Sequence, residues 1–212
     1  MPTAKPLELP HQDLPVPPFV FGLWFCNRKR NNLLSISDKY VQIVHSTLKS
    51  YGYKIIHGKY PQYFAIFPTI ESQLAPNIPT RIPANYLLSS AEQRIELLRG
   101  ILYTKSRQYS KAKDTFRISD YNFGIIQQIQ GLVESLGHRT KVEHDKTKNY
   151  YTIYFKSRIK LMDHQISPPV KVHHARRFLK KIEPIPAQQC VHIETDGDDN
   201  SFLVGEGFIA CR

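Results

Sequence analysis

Apolar residues follow a helical spacing in two segments that resemble each other. We predict helices over 19–27 and 92–104, and each holds one glycine, Gly22 or Gly100, inside its apolar run. A glycine inside a helix costs about 1 kcal/mol relative to alanine, so its presence needs an offsetting gain. We therefore expect the two helices to pack side by side, with the glycines allowing their backbones to approach closely.

Each of these helices is followed by further matching elements. The tripeptide Ile-Ser-Asp recurs at 36–38 and 118–120, and serine or aspartate before an apolar-periodic run is a helix-start signal. Apolar residues then recur at helical spacing up to a glycine, Gly52 or Gly137, which suits a left-handed C-cap. The pattern predicts one amphipathic helix in each copy.

Both copies close with an aromatic segment, 63–67 or 151–155, whose composition is typical of a β-strand. The distance between matching elements grows from 78 residues at the glycines to 88 at these strands, as expected of a duplicated unit with loop insertions. The pattern therefore predicts an α/β fold of the α+β type. We expect an N-terminal extension at 1–16, a first unit at 17–75, a Pro-rich linker at 76–83, a second unit at 84–165, and a basic linker with C-terminal strands at 166–212.

The charge of the chain points to a class of partner. The 212 residues carry a formal net charge of +11, whereas 193–212 hold five acids and one arginine. The rest of the chain is therefore more basic than the total, which favours a polyanion such as nucleic acid. A generic basic protein, whose charge only aids solubility, is the alternative on charge alone.

Other bulk properties bear on the compartment. No apolar run is long enough for a transmembrane helix, and the Pro-rich segment 1–18 has no apolar region of the kind found in secretory signals. Cys26, Cys190 and Cys211 are too few and too scattered for a disulfide framework. We expect an intracellular protein, cytoplasmic or in the nucleoid or nucleus, with no membrane partner.

Two segments resemble the motifs of one protein family. Residues 21–28 (Phe-Gly-Leu-Trp-Phe-Cys-Asn-Arg) resemble the first LAGLIDADG motif of intein-type homing endonucleases, and 86–102 looks like the approach to the second motif. The resemblance covers roughly residues 17–160. It implies two pseudo-symmetric αββαββα units with central packed motif helices, and saddle-shaped antiparallel sheets that lie along double-stranded DNA. It also implies a monomer with internal pseudo-dimer symmetry.

The C-terminal segment resembles a different module. Residues 190–196 and 202–212 are similar to the last two strands of an intein splicing (Hint) domain. That domain normally ends in histidine-asparagine, whereas Cys211 and Arg212 stand here, and its N-terminal half is missing. The resemblance implies a C-terminal remnant of a mobile genetic element, which we expect not to splice by itself.

The resemblance also implies a pair of site residues. In the family, an aspartate at the foot of each motif helix binds a divalent metal, usually magnesium, for phosphodiester cleavage. Asn27 and Lys105 hold the matching positions here, and they offer one neutral oxygen and one positive charge. We expect no bound cofactor and lost or impaired cleavage, with Mg²⁺ needed only if the chain is an active enzyme. Two interpretations of Lys105 stay open. Its positive charge replaces part of the charge of the metal beside the scissile phosphate, or the lysine arose by neutral drift in a gene that no longer needs cleavage.

Basic and amide side chains that follow each motif helix are the expected DNA contacts, because arginine and asparagine suit base edges and lysine suits phosphate. They are Arg28, Lys29, Arg30, Asn31 and Asn32 after the first motif, and Arg107, Lys111, Lys113 and Arg117 after the second. Lys156 holds a place where the family carries a basic residue near the scissile phosphate. The pair His173 and His174 is expected to be solvated or DNA-facing, and His45 to lie in the core or at its boundary.

Three other functions stay open at this point. The chain could be an active site-specific homing endonuclease, a non-catalytic RNA-binding protein of maturase-like or regulatory type, or a pseudogene product with no activity. Cleavage of a matched site in Mg²⁺ separates the first from a non-cleaving DNA-binding protein. Comparison of duplex DNA with structured RNA separates the second.

Overall fold

The structure is a computed structural model that describes residues 6–27, 33–75, 78–104, 107–110, 115–157, 159–162, 186, 202–204 and 209–211. For 107–110, 202–204 and 209–211 it describes the backbone alone. Within these segments, no helix combines the length and the hydropathy that crossing a bilayer requires.

Helices and strands alternate in a similar order in the two halves of the chain. The first half contains α1 (Pro18–Phe25), β1 (Leu34–Ser35), a 3-10 helix (Asp38–Tyr40), α2 (Val41–Ser50), β2 (Lys54–His57), β3 (Tyr63–Phe67) and α3 (Ile70–Leu74). The second half contains α4 (Ala84–Leu87), α5 (Ala91–Leu102), β4 (Arg107–Ser110), β5 (Thr115–Asp120), α6 (Phe123–Ser135), β6 (Thr140–Asp145) and β7 (Tyr150–Phe155). Two short strands follow, β8 (Phe202–Val204) and β9 (Ile209–Cys211).

The strands form antiparallel sheets with matching topology. The first sheet has the order β1-β3-β2, and the second has the order β4-β5-β7-β6, so that β1, β3 and β2 correspond to β5, β7 and β6. The place that corresponds to β4 falls on 28–32, which lies outside the described residues. Strands β8 and β9 pair with each other as an antiparallel hairpin. The predicted α+β class with a repeated unit is confirmed.

Both amphipathic helices end in the same way at a glycine. Gly52 follows α2 with φ of 83°, and Gly137 follows α6 with φ of 79°. After α2, the Tyr53 N–H donates to Leu48 O at 3.1 Å, and after α6 the His138 N–H donates to Val133 O at 3.3 Å. This bond from the residue beyond the glycine back to the helix is typical of a Schellman cap, and the predicted left-handed C-caps are confirmed.

The two Ile-Ser-Asp tripeptides are not structural equivalents, which corrects the expected alignment. Ser37 precedes the 3-10 helix without a side-chain cap bond, whereas 118–120 belong to β5 and Asn122 caps α6. The correspondence between the two sheets follows from their register. Leu34 lies opposite Phe64 in the first sheet, and Ile118 lies opposite Ile153 in the second, so Leu34 corresponds to Ile118 and Ile36 does not.

The same register corrects the alignment of the closing strands by one residue. Phe64 and Ile153 are fully buried and hold the same place in their sheets, so the strands correspond at a separation of 89 residues rather than 88. Because side chains alternate between faces, a shift of one residue moves every side chain to the opposite face of the sheet. Faces of the two sheets can therefore be compared only after this correction.

The core lies where α1 and α5 meet the two sheets. Every residue of α1 from Phe19 to Phe25 is buried, and the Phe21 ring stacks on Tyr86 with centroids 4.2 Å apart. Helix α5 follows Ser90, its N-cap: the Ser90 side chain accepts from the Gln93 N–H, and the Gln93 side chain accepts from the Ser90 N–H. This reciprocal pair forms a capping box, which fixes where the second motif helix starts.

An extended N-terminal segment, residues 7–16, crosses the second half of the molecule. The Gln93 side-chain amide pairs with both the N–H and the carbonyl of Gln12, at 2.9 and 2.7 Å. The Tyr86 hydroxyl donates to Val16 O at 2.8 Å. Burial of that hydroxyl raises the pKa of Tyr86 well above its usual range. Side chains of α4 and α5 thus hold this segment by its backbone.

A buried arginine joins three parts of this region. The Arg94 side chain is 0% exposed, and its guanidinium donates to Ser89 O at 2.8 Å, to Ser135 O at 3.0 Å and to the backbone oxygen of Leu7. The Leu7 N–H donates in turn to Ser135 O at 2.9 Å. Burial lowers the pKa of Arg94, and the nearby Glu92 carboxylate opposes this effect. Arg94 therefore fastens the N-terminal segment to α5 and α6.

Candidate nucleic-acid interface

The two motif helices cross at their glycines. A Cβ atom added to Gly22 would overlap Leu97 O and lie 3.1 Å from Ile101 N, and one added to Gly100 would overlap Phe19 O and lie 2.9 Å from Leu23 N. Each glycine thus faces the carbonyl that precedes the other glycine by three residues. The contact is reciprocal, as at a twofold axis, and the predicted close packing of the two helices is confirmed.

Asn27 lies at the foot of the first motif helix and is 6% exposed. Its amide nitrogen donates to Leu23 O at 2.8 Å, and its amide oxygen accepts from the Ser35 N–H at 3.0 Å. The side chain therefore ties the end of α1 to β1. The one oxygen that could serve a metal already has a partner, and the matching Lys105 lies outside the described residues.

Asn27→Asp, which restores the acid typical of the family, is expected to lower the free energy of unfolding by about 1–2 kcal/mol. A carboxylate can accept from the Ser35 N–H, but it cannot donate to Leu23 O and would face that carbonyl with a negative charge. Urea unfolding with and without MgCl₂ measures this. A gain of stability by the variant in MgCl₂, which the unsubstituted chain does not share, would show that a metal binds there and would contradict the conclusion that this place does not fit a magnesium site.

Carboxylates on the motif helices and beside them are engaged elsewhere. Glu96 accepts from Arg99 at 2.9 Å, and Glu71 of α3 accepts from the Trp24 indole N–H at 2.5 Å. Among the residues that the structure describes, no group of three or more His, Cys, Asp or Glu side chains is placed to hold a metal ion. Asn27, the described one of the two matching positions, is an amide rather than a carboxylate, so it does not fit the two-carboxylate magnesium site that the family resemblance implies.

One face of the second sheet is covered by α6, and the other is polar. Ile118 and Ile153 are fully buried on the covered face. Side chains at alternate positions point to the opposite face, where Arg117 and Tyr154 lie on neighbouring strands in register. We call this opposite face the outward face of the second sheet. Arg117 is exposed there, so the face offers a cation to an external ligand.

The outer strand of this face carries an ion pair. The Lys141 ammonium lies 2.6 Å from Glu143 Oε1, and this hydrogen bond lowers the pKa of the Glu143 carboxyl, as does a bond from the Tyr154 hydroxyl. Both partners are exposed, so the pair adds little to stability. Its effect is to place a carboxylate among the basic residues of the face.

The corresponding face of the first sheet is apolar. Ile56 and Phe67 stand on it with 58% of their surfaces exposed, and Lys54 lies opposite Phe67 in register. Phosphate groups find few partners on such a surface. The described part of the first sheet therefore offers a phosphate group fewer partners than the second sheet does.

The structure describes some of the predicted DNA-contact residues and leaves others out. Arg28, Lys29, Arg30, Asn31, Asn32, Lys105, Lys111 and Lys113 lie outside the described residues or side chains, as do His173 and His174, and for Arg107 the structure gives only its backbone in β4. Arg117 is on the outward face of the second sheet, and Lys156 is exposed directly after β7. The structure thus places Arg117 on the exposed polar face of the second sheet, and the role of every one of these residues in DNA contact stays a prediction.

His45 is half-buried at the edge of the first core, as its helical position predicts. Its ring meets Phe64 edge-on with centroids 4.5 Å apart, and His57 lies 5.2 Å away. Burial lowers the pKa of His45, and the charges of His57 and Lys49 act in the same direction.

Sequence reasoning missed the aromatic residues of the outward face. Tyr150, Thr152 and Tyr154 alternate along β7, and they line one cavity together with Glu143 of β6. The signal was the period of two in 150–155, which indicates a strand with one polar face.

Comparisons with known proteins give a likeness of fold only. Chains of I-DmoI are among the similar solved structures: I-DmoI in complex with DNA and Mn is 13% identical, with a TM-score of 0.43 over 67% of this chain and 89% of that chain. Mesophilic variants of the homing endonuclease I-DmoI give 12% identity, a TM-score of 0.44, and coverage of 68% and 89%. No family model and no curated protein matches this chain.

Proposed function

We propose that the chain is a DNA-binding protein of the LAGLIDADG type, derived from an intein, which holds double-stranded DNA without cutting it. The observation that carries the proposal is the reciprocal contact at Gly22 and Gly100, where the helix backbones leave no room for a Cβ atom. The resemblance of both segments to LAGLIDADG motifs predicts this contact. An ordinary helix interface would not need glycine at both positions, given its cost of about 1 kcal/mol in a helix.

Charge supports nucleic acid as the partner. The net charge is +11 although the last 20 residues hold five acids, so the remainder of the chain is strongly basic. Neutralisation of phosphates by lysine and arginine releases counterions and supplies much of the affinity of such proteins. We place the main contact on the outward face of the second sheet. Arg117 is an exposed cation of this face, and we expect the basic residues of 105–113 to lie near it.

Loss of cleavage is the second part of the proposal. The amide oxygen of Asn27 is already held by the Ser35 N–H, and Lys105 brings a positive charge to the matching position. Two-metal cleavage requires carboxylate oxygens at this place. We infer that Lys105 instead attracts the phosphate, and that the chain acts as a monomer inside the cell with its two halves as a pseudo-dimer.

Arg117→Ala is expected to weaken duplex binding about tenfold and to reduce the slope of log affinity against log salt by about 1 if Arg117 contacts phosphate. The measurement is fluorescence anisotropy with a duplex selected from a random pool, over a range of salt concentrations. Arg81→Ala removes the same charge from an exposed position in the linker between the halves and serves as the matched control. Equal effects of the two substitutions would contradict the assignment of the contact surface.

A further inference from the structure

The outward face of the second sheet contains a cavity that duplex binding does not require. It measures about 330 Å³ and lies over β5, β6 and β7 beside the turn that joins β6 to β7. This volume falls at the lower end of the range of small-ligand pockets, roughly 300–1,000 Å³. A rigid double helix would lie across its mouth rather than fill it, so the cavity can take a separate chemical group.

Aromatic rings form much of its wall. Tyr121 is 70% exposed, and its ring meets Tyr150 at a centroid distance of 4.6 Å and an interplanar angle of 64°. Tyr154 also lines the cavity. A tyrosine that is braced by a neighbouring ring and still open to solvent offers a platform on which a nucleobase can stack.

The charges of the cavity favour a base over a phosphate. Two carboxylates, Glu143 and Asp145, and two cations, Arg117 and Lys148, line it. The Asp145 carboxylate is held in place by the N–H groups of Thr147 and Lys148, which donate to its Oδ1 at 3.0 and 3.2 Å. Because the two carboxylates balance the two cations, the cavity lacks the excess positive charge that would draw a phosphate inside, whereas the exocyclic amino group of a base can donate to the carboxylate oxygens.

We propose that this cavity binds one unpaired nucleobase with an exocyclic amino group, stacked on Tyr121, while Arg117 and Lys148 attract the adjoining phosphates. The inference rests on the proposed function for the use of this face, and it adds that an unpaired nucleotide is bound in preference to perfect duplex. The same chemistry is present in a bulged DNA duplex and in structured RNA.

The test uses 2-aminopurine, an amino-bearing fluorescent base, as a single-nucleotide bulge in a duplex, with the same base paired in a matched duplex as the reference. The chain is expected to bind the bulged duplex about tenfold more tightly and to quench its fluorescence by stacking. Tyr121→Ala is expected to abolish both the preference and the quenching, so that the variant binds the bulged and the perfect duplex with equal affinity. DNA and RNA versions of the bulge show which nucleic acid is preferred.

Tyr60→Ala is the matched control, because Tyr60 is an exposed tyrosine in the first half of the chain, away from the cavity. A bulge preference that is absent, or that survives Tyr121→Ala, would overturn the inference, even where perfect duplex is bound and the proposed function stands. Quenching that is lost in Tyr121→Ala but not in Tyr60→Ala supports the cavity. If perfect duplex is not bound at all, the proposed function fails while that support for the cavity remains.

Discussion

Gly100→Ala is expected to lower the free energy of unfolding by about 2 kcal/mol. The added methyl group would overlap Phe19 O and lie 2.9 Å from Leu23 N, and both atoms belong to backbone that cannot rotate away. Because the overlap is with backbone, the cost lies at the upper end of the range for overpacking, about 3 kcal/mol, and a gain of about 1 kcal/mol in helix propensity offsets part of it. Gly22→Ala is expected to act in the same direction, because its methyl group would meet Leu97 O.

The matched control for this substitution is Gly131→Ala in α6. Gly131 lies on an exposed part of a helix, and a Cβ atom there would meet nothing within 4 Å. Alanine is expected to raise the free energy of unfolding at this position by about 0.5–1 kcal/mol. Urea unfolding of the two variants should therefore give changes of opposite sign. A stabilising effect of Gly100→Ala would show that the motif helices do not meet at their glycines.

Arg94→Met is expected to lower the free energy of unfolding by about 3 kcal/mol. Methionine keeps much of the side-chain volume but leaves Ser89 O, Ser135 O and Leu7 O without the donors that the guanidinium provides. Buried carbonyl groups that lose their partners carry the full cost of their desolvation. The N-terminal segment is expected to loosen as well, because the Leu7 carbonyl loses the bond that the Arg94 guanidinium donates.

Two measurements separate these effects. Urea unfolding gives the loss of stability, and hydrogen exchange reports whether the Leu7 amide, which donates to Ser135 O, becomes less protected. Arg81→Met is the control, since Arg81 is exposed and its loss is expected to change stability by less than about 0.5 kcal/mol. Equal stability of the Arg94 and Arg81 variants would contradict the role of Arg94 as a fastening point.

Features with a local chemical cause could be predicted from the sequence. Gly52 and Gly137 end their helices because a left-handed residue favours glycine, and Ser90 begins α5 because it can cap Gln93. The closing strand at 63–67 has the predicted bounds, since its aromatic and β-branched residues suit a half-buried strand. The prediction that α1 and α5 meet at Gly22 and Gly100 also required a comparison of the two copies of the repeated unit.

Features that depend on distant partners could not be predicted in this way. The Ile-Ser-Asp tripeptides match in letters, but sheet register places them differently. Arg94 donates to the backbone oxygen of Leu7, 87 positions away in the sequence, and no local sequence pattern predicts such a bond. The hydrogen bond that Asn27 accepts from the Ser35 N–H could not be predicted either, because it spans the intervening segment 28–34.

The central claim is that the chain binds duplex DNA and leaves it intact. The most direct test incubates the unsubstituted chain with an end-labelled duplex, selected from a random pool by its binding, in Mg²⁺ or Mn²⁺, and separates both complexes and strands on gels. The account predicts a shifted complex in which both strands keep their full length. Strands cut at a fixed position in either metal would contradict it, and so would a selected pool that shows no sequence-specific complex.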